Sequence, residues 1–367
     1  MYINSIELVN YRNYEREKVE FSPGQNVIFG DNAQGKTNLL ESIYLFSHGK
    51  SHRTRQDREL ILFGRDFLDV KVSFFSENRH QTGRIRVFKD KKKEIRINDV
   101  PLLKSSQLLG VFKVVLFTPD DLSLVKMGPE VRRKFLDSSI SMLKPNYYGV
   151  LEKYNQVVKQ KAALLKKIKK GEAEKAALDI WNEKQADYAS RLMAYRCVFI
   201  EALSKEAKQI CFDISGEDFL ILYKPSFRVV DFRDFSKNKN SLFEILQREK
   251  DAEIESGSCL FGPHRDDLIF LANNLDIKHF GSQGQQKTAV LSVKIALVKI
   301  IYDVFLEYPV LLLDDITGEL DKSRREYLFK KIKNMQVLIT CTDKELISLS
   351  GEYKKFQVKS GKIFWED

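Results

Sequence analysis

Residues Asn26–Phe46 read NVIFGDNAQGKTNLLESIYLF, and the fold turns on how this stretch is read. Val27, Ile28 and Phe29 form a short apolar run suited to a buried strand, whereas Leu39, Leu40, Ile43, Tyr44 and Phe46 recur at helical spacing. Between them, Gly30, Gly35, Lys36 and Thr37 fit G-x-x-x-x-G-K-[ST], placed after a strand and before a helix as a phosphate-binding loop requires. Glycines let backbone N–H groups wrap phosphates, and the helix N-terminus adds its dipole. In that scheme Lys36 reaches the β- and γ-phosphates of ATP and Thr37 holds Mg²⁺. A plain glycine-rich turn would explain the glycines but not the Lys-Thr pair behind them.

A second stretch supports the first. Val310–Ile316, VLLLDDI, is a continuous apolar run ending in two carboxylates, which suits a buried parallel strand whose C-terminal end faces an α/β site. Asp314 fits the role of holding Mg²⁺, and Asp315 that of polarising an attacking water. Thr37 and Asp314 lie 277 residues apart, a wider separation than a compact nucleotide kinase or small GTPase has.

The intervening chain changes character. Strand-like segments recur up to VFKVVLF, and from about Pro119 to Gly257 the pattern is mostly helical. Tyr147, Leu151, Tyr154 and Val158, then Leu178, Trp181, Tyr188 and Leu192, mark two helices with Gly171 between them, an expected antiparallel hairpin. We therefore expect an α/β protein whose lobe I, a mixed sheet with helices, spans residues 1–118 and 262–367. A mainly helical lobe II, residues 119–261, is inserted into it.

Bulk composition fits a soluble globular protein, with 43% hydrophobic and 31% charged residues. A formal net charge of +10 and a pI near 9.1 favour polyanionic partners. The four cysteines, Cys197, Cys211, Cys259 and Cys341, form no C-x-x-C unit, and reduced thiols are expected. No apolar run approaches the roughly 20 residues of a membrane helix, so a cytoplasmic protein with no membrane partner is expected.

Several motifs point to one family. Ser282–Gln286, SQGQQ, resembles the S-x-G-Q signature of ABC-type ATPases, whose Ser and Gly bind the γ-phosphate of a nucleotide held by the other subunit. An ordinary polar helix cap is the competing reading of that stretch. IELVNYRNYE (Ile6–Glu15), GDNAQGKTN, GKSHRTRQDRELI (Gly49–Ile61), PDDLSLVKMGPEVRRKFLD (Pro119–Asp137), FGPHRDDL (Phe261–Leu268) and LLLDDITGELD (Leu311–Asp321) together resemble the RecF family over essentially the whole chain.

The resemblance implies that lobe I is part of an ABC-type P-loop ATPase head, related to SMC proteins but without their long coiled coil. It implies ATP and Mg²⁺ as cofactors, an ATP-dependent homodimer and slow ATP hydrolysis. It also implies binding to duplex DNA and single-strand/double-strand junctions, loading of RecA at gaps with RecO and RecR, and a contribution to SOS induction. Carried over by position, Gly30, Asp31, Asn32, Ala33, Gln34, Gly35, Lys36 and Thr37, with Asn38 beside them, become the nucleotide loop. Ser282, Gly284 and Gln285 become the signature, Asp314 with Thr37 the metal ligands and Asp315 the catalytic carboxylate. Gly318 departs from the family, which usually has Ser or Ala at this D-loop position. The switch position falls on Thr342 or Asp343, neither of which acts as a histidine base, in keeping with slow turnover.

For DNA, Arg53 and Arg55 in SHRTRQDR, and Arg84, Arg86 and Arg96 alternating with Ile85, Val87, Ile95 and Ile97, are the candidate phosphate contacts. The alternative is a solvated strand face. The lysines of VVKQKAALLKKIKK are read as facing the acids that follow Gly171. His264 in GPHRDD is read as part of a turn into the strand LIFLA. Two other classes stay open: a transporter-type ATP-binding subunit, and a structural ATP-binding dimer without DNA affinity.

Overall fold

The computed structural model describes residues 1–229, 231–318, 320–342 and 353–366. The chain divides into two units, one comprising residues 1–121 with 294–367 and the other residues 122–293.

The first unit opens with β1 (Tyr2–Tyr11), β2 (Tyr14–Glu20), β3 (Gln25–Phe29) and α1 (Lys36–His48), followed by β4 (Phe67–Ser76), β5 (Arg79–Phe88), β6 (Glu94–Ile97), β7 (Val100–Pro101) and β8 (Val114–Phe117). Strands β2-β1-β4-β5-β6-β7 form an antiparallel sheet. Strict alternation decides its faces: Ile6, Leu8, Val70, Val72, Ile85 and Val87 all point into one core with Leu39, Leu40, Ile43 and Phe46 of α1. Gly83 is part of that fit, since a Cβ there would lie 2.1 Å from the Phe46 ring.

The second unit holds α2 (Ser123–Lys126), α3 (Pro129–Leu143), α4 (Pro145–Lys169), α5 (Leu178–Ser215), β9 (Phe219–Lys224), α6 (Phe235–Arg248), α7 (Lys250–Ser256), β10 (Asp267–Ala272), β11 (Leu275–Asp276) and α8 (Ile277–Phe280). The expected helical hairpin is α4 and α5, with Gly171 at φ 76° in the turn. Two lysines of α4 find different partners from those expected: Lys161 pairs with Glu253 of α7 at 2.6 Å, and Lys169 donates to the Glu255 carbonyl at 2.5 Å. The expected boundary at residues 261/262 is also displaced. Strand β10 pairs antiparallel with β9 in a three-stranded sheet of the second unit, so residues 262–293, signature included, belong there and not with the nucleotide loop. The division between units falls within α9 (Gln283–Phe305).

The chain then completes the first unit with β12 (Val310–Leu313), α10 (Lys322–Lys331), β13 (Val337–Cys341), β14 (Tyr353–Lys359) and β15 (Lys362–Glu366). The second sheet has the order β15-β14-β3-β13-β12-β8, with β14, β3, β13, β12 and β8 mutually parallel. Its central strands are buried along their length, as a parallel sheet covered on both faces requires. Leu312, Leu338, Ile28 and Phe356 share the α1 core, so α1 packs between the two sheets. Among the described residues, no helix is long and apolar enough to cross a membrane.

Candidate nucleotide site

Strand β3 ends at Phe29 and delivers the loop at the C-terminal edge of the parallel sheet. Two glycines are sterically required. Gly30, at φ 145°, would place a Cβ 2.4 Å from the Val358 carbonyl oxygen, and Gly35, at φ 125°, would place one 2.7 Å from Asn13 Nδ2. Ala33 also holds a positive φ, 63°. Gly35 has no side chain to cap α1, and the first turn of α1 carries no acid, leaving a helix N-terminus suited to an anion. Lys36 bends back over the loop and donates to the carbonyls of Gly30 (2.5 Å) and Asp31 (2.7 Å). Burial lowers its pKa, while the charges of Asp315 and Asp314 pull it back up.

Residues that sequence reasoning missed hold this loop. Asn13, in the β1–β2 turn, donates to the Gln34 carbonyl at 2.8 Å and accepts from Asn38 at 2.9 Å, and the Tyr14 hydroxyl donates to the Gly35 carbonyl at 2.9 Å. From the other side, Ser360 N donates to Gln34 Oε1 at 2.6 Å. Asn13 and Tyr14 belong to a quoted motif, but a polar turn carries no sign of what it will touch.

The carboxylate strand lies two places along the sheet from β3, with β13 between them. Asp314, nearly buried, accepts the Thr37 hydroxyl on Oδ1 at 3.0 Å and the Thr340 hydroxyl on the same oxygen at 2.7 Å. The Thr340 oxygen in turn accepts the Asp315 N–H at 3.0 Å. Asp315 is exposed and has φ 50°, a left-handed conformation uncommon outside glycine. The two motifs separated in sequence are thus joined through one carboxylate oxygen, and Thr340 is a further residue the sequence did not single out. Thr342 is exposed just beyond β13; Asp343 and Glu319 lie outside the described residues. Gly318 is exposed, with no described atom within 4 Å of where a Cβ would stand. Asp321 caps α10 by accepting Arg324 N at 3.0 Å.

In the second unit, Ser282 and Gln285 form a reciprocal capping box at the start of α9: Gln285 N donates to Ser282 Oγ (3.2 Å) and Ser282 N to Gln285 Oε1 (2.8 Å). The Gln285 amide also donates to Glu217 at 2.6 Å. Ser282 is exposed and Gly284 half-buried. The cap reading of the sequence is therefore realised, and the helix end it caps remains at the surface.

The candidate DNA residues fall in two places. Arg53 donates to Asn38 Oδ1 at 2.8 Å and lies 3.5 Å from the buried Glu41 carboxylate, against the first turns of α1; Arg55 is exposed. Arg84, Arg86 and Arg96 share the outer face of the antiparallel sheet and, with Glu94, line a small cup of about 130 Å³. That face is of mixed charge and not simply basic: Asp69 takes a forked bond from Arg84 and one from Arg86 at 3.1 Å, and the paired guanidiniums hold its pKa down against burial.

GPHRDD proves to be a structural knot. Arg132 forks onto Asp267 at 2.6 and 3.0 Å, Arg133 donates to the Asp266 carbonyl at 2.8 Å, and Asp266 also accepts Ser226 N at 2.7 Å and the Tyr223 hydroxyl. The buried Arg196 donates to the Pro263 carbonyl (2.7 Å) and to Asp137 (2.8 Å). His264 Nε2 faces the Cys259 carbonyl at 3.1 Å, so it carries the proton, and Nδ1 accepts from Tyr154 at 2.6 Å. The motifs around Arg132 and His264 are partners of each other.

A glycine loop between a buried strand and a helix, a carboxylate strand hydrogen-bonded to it, and a signature-type helix on a separate helical unit define an ABC-type ATPase head. The family model described as the RecF/RecN/SMC N terminal domain matches residues 2–363. The DNA replication and repair protein RecF of Clostridium perfringens (strain 13 / Type A) is 40% identical over 365 residues, 99% of each chain. That of Acetivibrio thermocellus is 40% identical over 369 residues, 100% of each. The chain belongs to the RecF family. The solved structure of the recombination mediator protein RecF-ATPrS in the RecFOR pathway superposes with a TM-score of 0.94 at 34% identity, covering 99% of this chain and 98% of that one. An Smc head bound to the C-winged helix domain of ScpA matches in fold alone, at a TM-score of 0.59 and 17% identity.

Proposed function

We propose that the chain is an ATP-gated clamp on DNA, acting in recombinational repair and replication restart. The observation that carries this reading is the convergence of the Thr37 and Thr340 hydroxyls on Asp314 beside a glycine loop of nucleotide-binding form. Relatives named as DNA replication and repair proteins, and solved relatives named with ATP and its thio analogue, support it.

In this reading the backbone N–H groups of residues 30–38 wrap the phosphates of ATP, and Lys36 leaves the loop carbonyls to pair with them. The Thr37 hydroxyl and the Asp314 carboxylate, 3.0 Å apart, are hard oxygen donors suited to Mg²⁺, which commonly uses one or two protein ligands plus phosphate and water. Bound there, the ion would neutralise charge on the β- and γ-phosphates. Asp315 orients the attacking water. Ser282, Gly284 and Gln285 of a second copy complete the site, so ATP favours the dimer. With Thr342 or Asp343 in the switch position and no histidine, hydrolysis is slow. The basic charge of the chain and Arg53, Arg55, Arg84, Arg86 and Arg96 supply contacts to DNA phosphates without base specificity. Partnership with RecO and RecR, delivery of RecA to gaps and a contribution to SOS induction complete the proposal.

The test is a titration of gapped duplex at low salt with and without Mg-ATP, using wild type and Lys36→Ala. Binding that is salt-sensitive, enhanced by ATP in wild type and unresponsive to ATP in the variant is expected. Undiminished nucleotide affinity in Lys36→Ala, or no DNA binding by wild type, would overturn the reading.

A further inference from the structure

Between the RELI segment and β4 the chain makes a tight turn, Leu62–Arg65, closed by Arg65 N donating to the Leu62 carbonyl at 3.0 Å. Gly64, the third residue of that turn, has φ 81°, as a type II turn requires. Phe63 occupies the second position, and its side chain is fully exposed at 100%. The loop beneath it is not loose. Leu60 is fully buried and Ile61 nearly so, Ile61 bridges to Tyr11, Leu62 N donates to the Asn10 carbonyl at 2.9 Å, and Arg12 N donates to the Leu60 carbonyl at 2.7 Å. An aromatic ring is therefore presented to solvent on a rigid stem rooted in β1, next to the turn whose Asn13 holds the nucleotide loop.

The same segment is cationic. From Lys50 to Arg65 there are Lys50, Arg53, Arg55, Arg58 and Arg65 against Asp57 and Glu59. Both acids are already engaged, Asp57 with Lys93 at 2.7 Å and Glu59 with the Thr54 hydroxyl; of the cations, Arg65 pairs with Glu15 at 2.5 Å and Arg53 lies 3.5 Å from Glu41, so the segment keeps a positive balance. A flat apolar ring set among cations calls for a partner that offers a π-face and negative charge together. Nucleic acid with an unpaired base offers both, whereas continuous duplex hides its base faces in the stack.

We infer that Phe63 stacks on an unpaired base, with the surrounding basic segment holding the adjoining phosphates, so that the protein discriminates gapped or single-stranded DNA from uninterrupted duplex at this turn. The inference rests on the DNA-binding reading above. Stacking of this kind is sequence-tolerant, because every base has a π-face.

The experiment measures binding of the full chain, with Mg-ATP, to a duplex carrying a short gap with 2-aminopurine in the unpaired strand, and to a continuous duplex of equal length. Phe63→Ala is expected to weaken gapped-DNA binding by about 5- to 100-fold and to abolish the change in 2-aminopurine fluorescence. Its affinity for continuous duplex and the salt dependence of binding stay as in wild type, since no phosphate contact is lost. Phe63→Trp retains the gap preference, and Phe63→Leu behaves like alanine. Wild-type affinity for gapped DNA in Phe63→Ala, equal losses on both DNAs, or full activity in Phe63→Leu would each overturn the stacking role. Wild type that binds neither DNA would instead remove the DNA reading on which it stands.

Discussion

Thr340→Val tests the side chain that bonds both carboxylate residues of the candidate site, Asp314 through its side chain and Asp315 through its N–H. Valine keeps the shape and the strand preference of threonine in fully buried β13, but it deletes a hydroxyl that donates to Asp314 at 2.7 Å and accepts from Asp315 N at 3.0 Å. A bond to a carboxylate contributes about 1.5–3 kcal/mol, and the N–H of the exposed Asp315 loses a bond of about 0.5–1.5 kcal/mol that water replaces in part. Both losses fall on the same two residues. Asp314 then keeps only the Thr37 hydroxyl on that oxygen, and Asp315 loses the bond that secures its backbone at φ 50°. Removing the outer partner of a metal ligand typically costs about 10- to 100-fold in metal affinity or activity. Thr340→Val should therefore weaken the Mg²⁺ dependence of ATP binding and the ATP turnover by about that factor. ATP affinity measured in chelator should be unchanged, because Lys36 and the loop are untouched. Calorimetric titration with and without Mg²⁺ and a coupled ATPase assay read these quantities, and Thr340→Ser should recover most of the loss. A valine variant within about twofold of wild type in both assays, well short of that range, would refute the role assigned to Thr340.

Ser282→Arg should abolish the ATP-driven dimer while leaving ATP binding to the monomer intact. Ser282→Ala, which loses the hydroxyl and its cap of about 1 kcal/mol but puts no bulk against the facing phosphate, should weaken the dimer without abolishing it; sedimentation in ATP decides, and a normal dimer of the arginine variant would contradict the signature assignment. Arg196→Met leaves Asp137 with the Tyr147 hydroxyl but without its cation and frees the Pro263 carbonyl, and should destabilise the second unit by about 3–5 kcal/mol. Urea unfolding followed by fluorescence of Trp181 on α5, in a Trp365→Phe background, measures it, and a change below about 1 kcal/mol would contradict a structural role for the knot. Burial lowers the pKa of His264 to about 4. Because the unfolded chain takes up the proton near pH 6.5, the folded state loses stability as pH falls from about 6.5 towards 4, by up to about 3 kcal/mol. His264→Asn should flatten the pH dependence of the urea midpoint in that window, and an unchanged slope would exclude this histidine as its source.

Legibility in the sequence followed the range of the physical constraint. The form of the glycine loop was readable because its demands are local: glycines at Gly30 and Gly35, a strand before them and a helix after them within one short stretch. The helical hairpin was readable for the same reason, since Tyr147, Tyr154, Leu178 and Leu192 repeat at helical spacing and are all buried. Asn13, Ser360 and Thr340 were not readable. Each makes its decisive bond to a residue far along the chain, and nothing in a polar turn or in VLITC says which strand will lie beside it.

The displaced domain boundary has the same origin and a functional consequence. Strand β10 alternates like any half-buried strand, and alternation does not reveal which sheet a strand joins. Its register with β9, from Asp267 opposite Lys224 to Ala272 opposite Phe219, assigns it to the unit that carries α3, α4 and α5. The knot at Asp266 and Asp267 then fixes the start of β10, and β10 leads through β11 and α8 into Ser282. The buried arginines of the second unit thus set the foundation on which the capped end of α9 is presented. The motif GPHRDD, polar and without catalytic geometry, holds the frame from which Ser282 projects, and His264 within it is closed in by Tyr154 and the Cys259 carbonyl.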